Sequence, residues 1–330
     1  MVKAVILAAG KSTRTYPLTL TKPKPLLKVG RKSLLEHNLE QLNGLVDEVI
    51  IVVGYRKGMI KNFLKNKRYK FKIRFVEQRE QLGTGHALLQ TERLIRDSFI
   101  LLMGDDLYDR KDIKKCMRYK YCILAKRMKD PSNFGVLQVI GKNVKNIIEK
   151  PQLYFSNLAN CALYVLDEKI FKVIKKLKKT KRGEYEITDA IKDLAKKEDI
   201  NYVTANKWVP VGYPWNLFDV KDLFKIKGNA IGERCKIKGK VKNSIVMDST
   251  TIEKGSIIED SIIGENVYFK GEIKSVRNAV SRVKGVYAKA GKLGAVVGDN
   301  SKLRNVEIKA GVKIWPNKSI SNKIIKEDVI

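Results

Sequence analysis

Few residues in this 330-residue chain can do redox, metal or acid–base chemistry, since it has 4 cysteines, 2 histidines and 35 acidic residues. Cys116, Cys122, Cys161 and Cys235 form no Cys-x-x-Cys pair and lie in or beside apolar stretches. That excludes a zinc ribbon and a disulfide framework, and buried free thiols in a reducing compartment are expected. No apolar run reaches the roughly eighteen residues that a membrane-spanning helix requires. The start, Met1-Val-Lys3 before a strand-like Ala4-Val-Ile-Leu7, lacks the length and cleavage site of a secretion signal, so a cytoplasmic location is expected. Both histidines, His37 and His86, fall in the first third of the chain. Chemistry that needs an imidazole base is therefore absent from everything beyond residue 86.

The shortage of acid leaves 67 Lys and Arg against 35 Asp and Glu, a formal charge of +32. Such an excess raises the question of nucleic acid. The lysines are dispersed, however, as in Lys169, Lys172, Lys175, Lys176, Lys178 and Lys179. There Ile170, Phe171, Val173, Ile174 and Leu177 form the apolar stripe of a helix and the lysines its solvated face. Lysine enrichment is also one mark of proteins from hot environments. No arginine–aromatic run of the kind that reads single strands occurs, so nucleic-acid binding is not expected. Attraction for small anions such as nucleotides is.

The length suits two domains. Up to about residue 225, strand-like runs at 2–8, 48–53, 71–76, 98–103 and 121–126 alternate with helical spacing at Ser33–Leu42 and His86–Ile95. This alternation predicts an α/β fold, a Rossmann-like, doubly wound, mostly parallel sheet over residues 1–225. In such sheets ligands bind at the carboxyl ends of the strands. From residue 226 to 330 the helical period vanishes. Ile231, Ile237, Val241, Ile245 or Val246, Ile252, Ile257 or Ile258, and Ile263 recur about every six residues. That spacing resembles the hexapeptide repeat of a left-handed parallel β-helix. It fades between Lys270 and Gly291, and the rival reading is a β-sandwich.

The first strand runs into Leu7-Ala8-Ala9-Gly10-Lys11-Ser12-Thr13-Arg14, followed by Lys22-Pro-Lys24-Pro-Leu-Leu27. Small residues allow backbone N–H groups to converge on phosphate oxygens, and Arg14 and Lys24 add fixed charge beside them. Neither the Walker nor the Gly-x-Gly-x-x-Gly pattern is present. Two further segments follow strands: Gln78 to Gly83-Thr84-Gly85-His86, then Gly104-Asp105-Asp106. A glutamine amide offers a donor and an acceptor to a base edge. A strand-terminal carboxylate suits Mg²⁺. The simpler readings are a glycine turn for Gly10, a helix cap for Thr84 and for the Asp, and packing or capping for His86.

Together these motifs resemble the sugar-phosphate nucleotidyltransferases, which make nucleoside-diphosphate sugars. The resemblance implies that Arg14 and Lys24 are the catalytic cations. It implies that Leu7 to Thr13, Gln78, Gly83 and Thr84 hold the nucleotide, UTP or dTTP. Phe134-Gly135-Val136, Glu149-Lys150-Pro151, Asn160-Cys-Ala162-Leu-Tyr164 and Gly183-Glu184-Tyr-Glu-Ile-Thr188-Asp189 are similar to the family's sugar-phosphate segments. The implied sugar-phosphate residues are Gly135, Glu149, Lys150, Asn160, Glu184 and Thr188, with Ala162 standing where the family carries glycine. Asp105 and Asn216 are the implied Mg²⁺ ligands, with Asp219 in reserve. The expected reaction joins UTP or dTTP to glucose 1-phosphate or N-acetylglucosamine 1-phosphate and releases pyrophosphate.

Some relatives carry a β-helix that transfers acetyl groups with a histidine base, which residues 226–330 lack, so acetyl transfer is not expected here. Subunit assembly into a homo-oligomer, or bracing of the catalytic domain, is expected of the β-helix instead. The alternative function is a non-catalytic subunit like those of translation-initiation exchange factors, which share this two-domain plan but tend to lose the cations and the carboxylate.

Overall fold

The computed structural model describes residues 1–330. Four strand-like runs form parallel strands within a residue of their predicted places: β1 Lys3–Ala8, β2 Glu48–Val53, β3 Lys72–Glu77 and β4 Phe99–Met103. Strands β1 and β2 are buried almost throughout, as expected of a sheet covered on both faces. Register pairs Ala8 with Val53, Val53 with Glu77 and Leu7 with Met103, so all four carboxyl ends reach one edge. The sheet continues through β5 Cys122–Arg127, β6 Gly135–Ile140, β7 Asn143–Glu149, β8 Leu158–Leu166 and β9 Ile200–Thr204. The order of its 9 strands is β3-β2-β1-β4-β8-β5-β9-β7-β6.

The unbroken run of parallel pairs ends at β4, and beyond it only β5 and β9 pair in parallel. Strand β8 runs antiparallel to both β4 and β5, and β7 runs antiparallel to β9 and β6. A tight turn at Gly141, with φ of +57°, joins β6 to β7 and needs no crossover helix. The sheet is thus parallel over β3-β2-β1-β4 and mixed beyond it. The helix predicted over His86–Ile95 forms as Thr84–Leu89 followed by a short 3₁₀ turn at Glu92–Leu94. Thr91 explains the break: its hydroxyl donates to the Leu88 carbonyl at 2.8 Å, taking an acceptor from the helix ladder.

Residues beyond about 228 form a parallel β-helix, not a sandwich. Ala230, Ile245, Ile262, Val296 and Lys313 stack in register along one face. Val246, Ile252, Ile258, Ile263, Val267 and Phe269 fill its core. Ile237, read as an inward position, is exposed where the stack begins. The repeat fades near Lys270–Gly291 because an antiparallel hairpin, Val276–Val283 with Val286–Leu293, is inserted between two coils.

The chain divides into two compact units, one of residues 1–10 and 37–210, the other of residues 11–36 and 211–330. This departs from a cut at 225/226, and charge explains it. Within the second unit the Lys22 ammonium pairs with Glu265 at 2.7 Å and Asp299 at 2.8 Å, and Lys28 pairs with Asp248 at 2.7 Å. Thr21 adds a hydroxyl bond to Asp299 at 2.5 Å. Each aspartate also serves the coil. Asp248 Oδ1 accepts from the Glu233 amide and Asp299 Oδ1 from the Glu265 amide, at 2.8 and 2.7 Å. Gly232 and Gly264 sit beneath these carboxylates, where a Cβ would lie 2.4 and 2.5 Å from the same Oδ1 atoms. Burial alone would raise the Asp248 carboxyl, but Lys28 and the Glu233 amide hold it below the usual carboxylate range.

The Lys22 and Asp299 side chains are 4% and 5% exposed, against 19% and 11% for Lys28 and Asp248. Removing one partner of the deeper pair strands a buried charge. Lys22→Met is therefore expected to cost about 3 kcal/mol in chemical unfolding, and Lys28→Met about 1 kcal/mol. Equal costs would contradict the assigned difference in depth.

Candidate functional site

The first unit supplies a sheet edge on which side chains are kept small. The Ala9 carbonyl accepts from the Tyr55 amide and from Gln81 Nε2, both at 3.0 Å. A Cβ on Gly54 would lie 2.9 Å from the Ala9 oxygen and 3.1 Å from the Gln78 oxygen. A Cβ on Gly104 would lie 2.9 Å from the Leu7 oxygen. Glycine at both positions lets the strand ends close together and sets Asp105 directly beyond β4. The next residue, Asp106, is structural: its carboxylate accepts from Trp208 Nε1 at 3.1 Å and its carbonyl from Asn38 at 2.7 Å.

Beyond β3 the amide of Gln78 is buried, and its Nε2 lies 3.0 Å from the Gly83 carbonyl and 3.1 Å from His86 Nδ1. Gly83 has φ of +97°, and a Cβ there would stand 2.7 Å from the Tyr185 carbonyl, so only glycine fits. Gly85 donates to that carbonyl at 2.7 Å, and Tyr185 donates to the Leu82 carbonyl at 2.8 Å. The Thr84 hydroxyl donates to Glu186 at 3.1 Å and accepts from the Ile187 amide at 3.0 Å. Two segments about a hundred residues apart in sequence are thereby clamped. Burial first, then the adjacent Glu184 carboxyl, pushes Glu186 up to about 7, although Arg182 lies 2.7 Å away.

Gly135, Glu149 and Asn160 also come together. A Cβ on Gly135 would lie 3.1 Å from Glu149 Oε2 and 3.5 Å from Asn160 Cβ. Asn160 is buried, donates to the Tyr164 hydroxyl at 2.7 Å and accepts from the Ala162 amide at 2.9 Å. Ala162 holds φ of +54°, the left-handed conformation for which glycine is best suited. Lys150 is exposed, and its amide donates to the Phe134 carbonyl at 3.0 Å. Thr188 Oγ1 is buried without a partner, and its neighbour Glu184 is half-buried. A buried orphan hydroxyl is an opening for a polar ligand.

The second unit carries the cations. The backbone N–H groups of Lys11, Ser12, Thr13 and Arg14 donate to no protein atom. The Ser12 carbonyl instead accepts from the Thr15 amide and hydroxyl and from the Thr19 hydroxyl, at 3.1, 2.7 and 2.9 Å. Consecutive free donors with a left-handed residue, Ser12 at φ +53°, have the backbone pattern that suits an anion. Arg14 lies 5.8 Å over the Tyr213 ring, which stacks on Trp215 at 4.9 Å. Lys24 is buried, with Nζ 2.6 Å from the Val211 carbonyl. Asn216 holds the same segment: its Oδ1 accepts from the Gly212 and Tyr213 amides at 3.1 and 2.8 Å, and its Nδ2 donates to Asp219 at 3.1 Å.

A profile described as nucleotidyl transferase matches residues 3–225. The chain belongs to the nucleotidyl transferase family. It is 38% identical over 385 aligned positions to a bifunctional GlmU protein of Methanocaldococcus jannaschii, covering 95% of this chain and 92% of the relative. It is 30% identical to a bifunctional sugar-1-phosphate nucleotidylyltransferase/acetyltransferase of Sulfurisphaera tokodaii, with 99% and 80% covered. Among solved structures, a putative glucose-1-phosphate thymidylyltransferase of Bacillus anthracis superposes with a TM-score of 0.62 at 27% identity, covering 68% of this chain and 96% of that one.

In this nucleotidyl transferase, Asp105 offers the hard oxygen that Mg²⁺ prefers, an ion that usually takes one or two carboxylates plus substrate phosphates. Asn216 Oδ1 fits that role less well, because two amides already occupy it. The sequence reading gave Glu186 no role and gave His86 only packing or capping. The alternation Glu184-Tyr-Glu186 was the available signal for the first, and the Gln78-to-His86 spacing across Gly83 for the second. Lys22 and Lys28 were also passed over as anchors, though they flank Lys24 in one short run.

Two outcomes follow for the nucleotidyl transferase. Ala162→Gly relieves the left-handed backbone and is expected to raise stability by about 0.5–1 kcal/mol in chemical unfolding. Glu186 keeps its proton in the native state up to about pH 7, whereas an ordinary glutamate releases it near 4.5. The native state then binds more protons between those values, so stability falls as pH rises through the window. Glu186→Gln is expected to flatten that slope in unfolding curves taken from pH 5 to about 8. An unchanged slope would refute the assignment.

Proposed function

We propose that this chain transfers the nucleoside monophosphate of UTP or dTTP to a sugar 1-phosphate, glucose 1-phosphate or N-acetylglucosamine 1-phosphate, releasing pyrophosphate. The observation that carries the nucleotide side is the free acceptor and free donor beside each other beyond β3. Gln78 Oε1 accepts no bond and the Gly83 N–H donates none. An acceptor next to a donor complements the N3–H and the neighbouring carbonyl of uracil and thymine. On the sugar side, the Gly135–Glu149–Asn160 cluster and the orphan Thr188 hydroxyl support polyol and phosphate recognition.

In the proposed reaction a sugar-phosphate oxygen attacks the α-phosphorus, a new P–O bond forms, and pyrophosphate leaves with the electrons of the broken bond. A phosphomonoester's second pKa is about 6, so the nucleophile is already ionised at neutral pH and no base is required. The barrier is repulsion among phosphates and in-line placement. Arg14, Lys24 and the Lys11–Arg14 amides supply positive potential, the first held on Tyr213 and the second on Val211. Asp105 would hold Mg²⁺, which when bound adds divalent charge neutralisation on the phosphates. The absence of histidine after residue 86 leaves the β-helix without an imidazole base, so we assign the chain nucleotidyl transfer and no histidine-dependent acetyl transfer. Retention of Arg14, Lys24 and Asp105 weighs against a non-catalytic exchange-factor-like subunit.

Pyrophosphate release from a panel of four nucleoside triphosphates against several sugar 1-phosphates tests the reading. Turnover with UTP or dTTP is expected. Lys24→Ala and Asp105→Ala are each expected to lower kcat by about a hundredfold or more with the circular dichroism spectrum unchanged. Near-normal turnover in either variant would remove the mechanism. Acetyl-coenzyme A consumption with an amino-sugar phosphate would show a second activity that we do not assign.

A further inference from the structure

The Gln78 amide can present either its oxygen or its nitrogen to a base, and the choice decides which pyrimidine is accepted. We infer that His86 is the positioning residue that makes this choice. Neutral, with its proton on Nε2, it holds the Gln78 nitrogen so that only Oε1 faces the ligand, which selects bases carrying an N3–H. The inference deepens the function proposed above and rests on it.

Gln78 Nε2 lies 3.0 Å from the Gly83 carbonyl and 3.1 Å from His86 Nδ1. A carbonyl oxygen only accepts, so the amide must turn its nitrogen toward Gly83. One amide hydrogen is spent there. The other points at His86 Nδ1, which therefore carries no proton, and a neutral imidazole then carries its proton on Nε2. With both hydrogens used, the Gln78 nitrogen has none left for a base. Its oxygen is the only group it can offer, and the adjacent donor is the Gly83 N–H.

Gln90 competes for the same ring. Its Nε2 lies 3.1 Å from His86 Nε2 and 3.0 Å from the His86 carbonyl. A neutral imidazole can accept from only one of the two amides. Each amide nitrogen also has a carbonyl acceptor, so burial decides: Gln78 is 4% exposed, whereas Gln90 is half-buried and can turn to water. An unsatisfied buried donor is the more costly, so the ring accepts from Gln78. Gln90 turns over to take the ring proton on Oε1 and gives up its bond to the His86 carbonyl.

At the corresponding edge cytosine has a lone pair on N3 and an amino group in place of the carbonyl. Its N3 would face Gln78 Oε1, acceptor against acceptor, and its amino group would face the Gly83 N–H, donor against donor. Uracil and thymine share one edge pattern here, so the arrangement separates UTP and dTTP from CTP and does not separate them from each other. Without an acceptor at position 86 the Gln78 amide loses one of its two restraints and can rotate to suit cytosine.

The test compares kcat/KM for UTP, dTTP and CTP in the full-length wild type, His86→Leu and His86→Asn. Leucine removes the acceptor, whereas the asparagine carbonyl oxygen sits where Nδ1 was. His86→Leu is expected to lower the UTP-to-CTP preference by about tenfold or more, and His86→Asn to restore most of it. An unchanged ratio in His86→Leu overturns the inference. A ratio lowered equally by both variants does so too, because general disruption of the segment would explain it. If His86→Leu does not fold, ¹⁵N NMR of the wild type decides, with His37→Gln identifying the second histidine. The Nε2–H tautomer of His86 supports the inference, and the Nδ1–H tautomer overturns it. If the wild type turns over UTP but not the sugar 1-phosphates tried, only the acceptor is misassigned. If it turns over no pyrimidine nucleotide, the parent reading falls and this one with it, whatever the tautomer.

Discussion

The arrangement of the second unit depends on the ion pairs that fasten Lys22 and Lys28 to Asp299 and Asp248. They tie an N-terminal segment to coils more than two hundred residues later, and that segment carries Arg14 and Lys24. Each aspartate divides its oxygens, one on a coil amide and one on a lysine, so the same carboxylate closes a coil corner and anchors the segment. Glycines at 232 and 264 follow as a necessity, since any side chain would collide with those carboxylates. The β-helix is therefore more than an appendage, because it holds the backbone that presents the cations. Lys24 is two residues from Lys22, and its own ammonium is set on the Val211 carbonyl. A buried cation held this way is kept in one geometry at low entropic cost when an anion arrives.

The first unit meets a different demand, close approach. Gly54 and Gly104 keep the strand ends packed, and Gly83 and Gly85 let one segment lie on the backbone of another at Tyr185. The resulting clamp makes Thr84 and Glu186 interdependent with the loop that holds Gln78. Its carboxyl stays protonated toward neutrality because burial and Glu184 both disfavour the charge. Neutral hydrogen bonds, which have direction, suit base and sugar recognition, where shape and donor pattern decide. Fixed charge suits phosphates, where potential decides.

Much of this was legible in sequence, for identifiable reasons. Strands β1, β2 and β4 are apolar runs bounded by Gly10, Gly54 and Gly104, and a buried strand leaves little room for error; β3, at the sheet edge, alternates charged and apolar residues up to Glu77. The β-helix was legible as a six-residue period, and it blurred where the hairpin at Val276–Leu293 substitutes a two-residue alternation. The grouping of residues 11–36 with the β-helix was not legible, because an ion pair such as Lys22–Asp299 leaves no periodic trace. The role of Asn216 was equally hidden. A residue type that can ligate metal can also close a turn, and here its oxygen does so with two amides. Ala162 could be read as a departure from the family's glycine, but only its φ of +54° reveals the cost of the substitution.

The scarcity of histidine gains a physical meaning from these arrangements. Transfer from an already ionised phosphate oxygen needs no proton acceptor, so an imidazole base would contribute nothing to the barrier. What an imidazole can contribute is an acceptor and a donor at fixed separation. His86 uses one nitrogen to receive Gln78, and His37 sets its Nε2 at 3.0 Å from the Tyr108 carbonyl. Both rings act as hydrogen-bonding spacers, one to a side chain and one to a backbone carbonyl, and both lie in the first unit. Reaction chemistry that is limited by charge and orientation leaves its mark as buried lysine, crowded glycine and satisfied amides. In this chain those three features, more than any acid–base pair, mark the residues on which function depends.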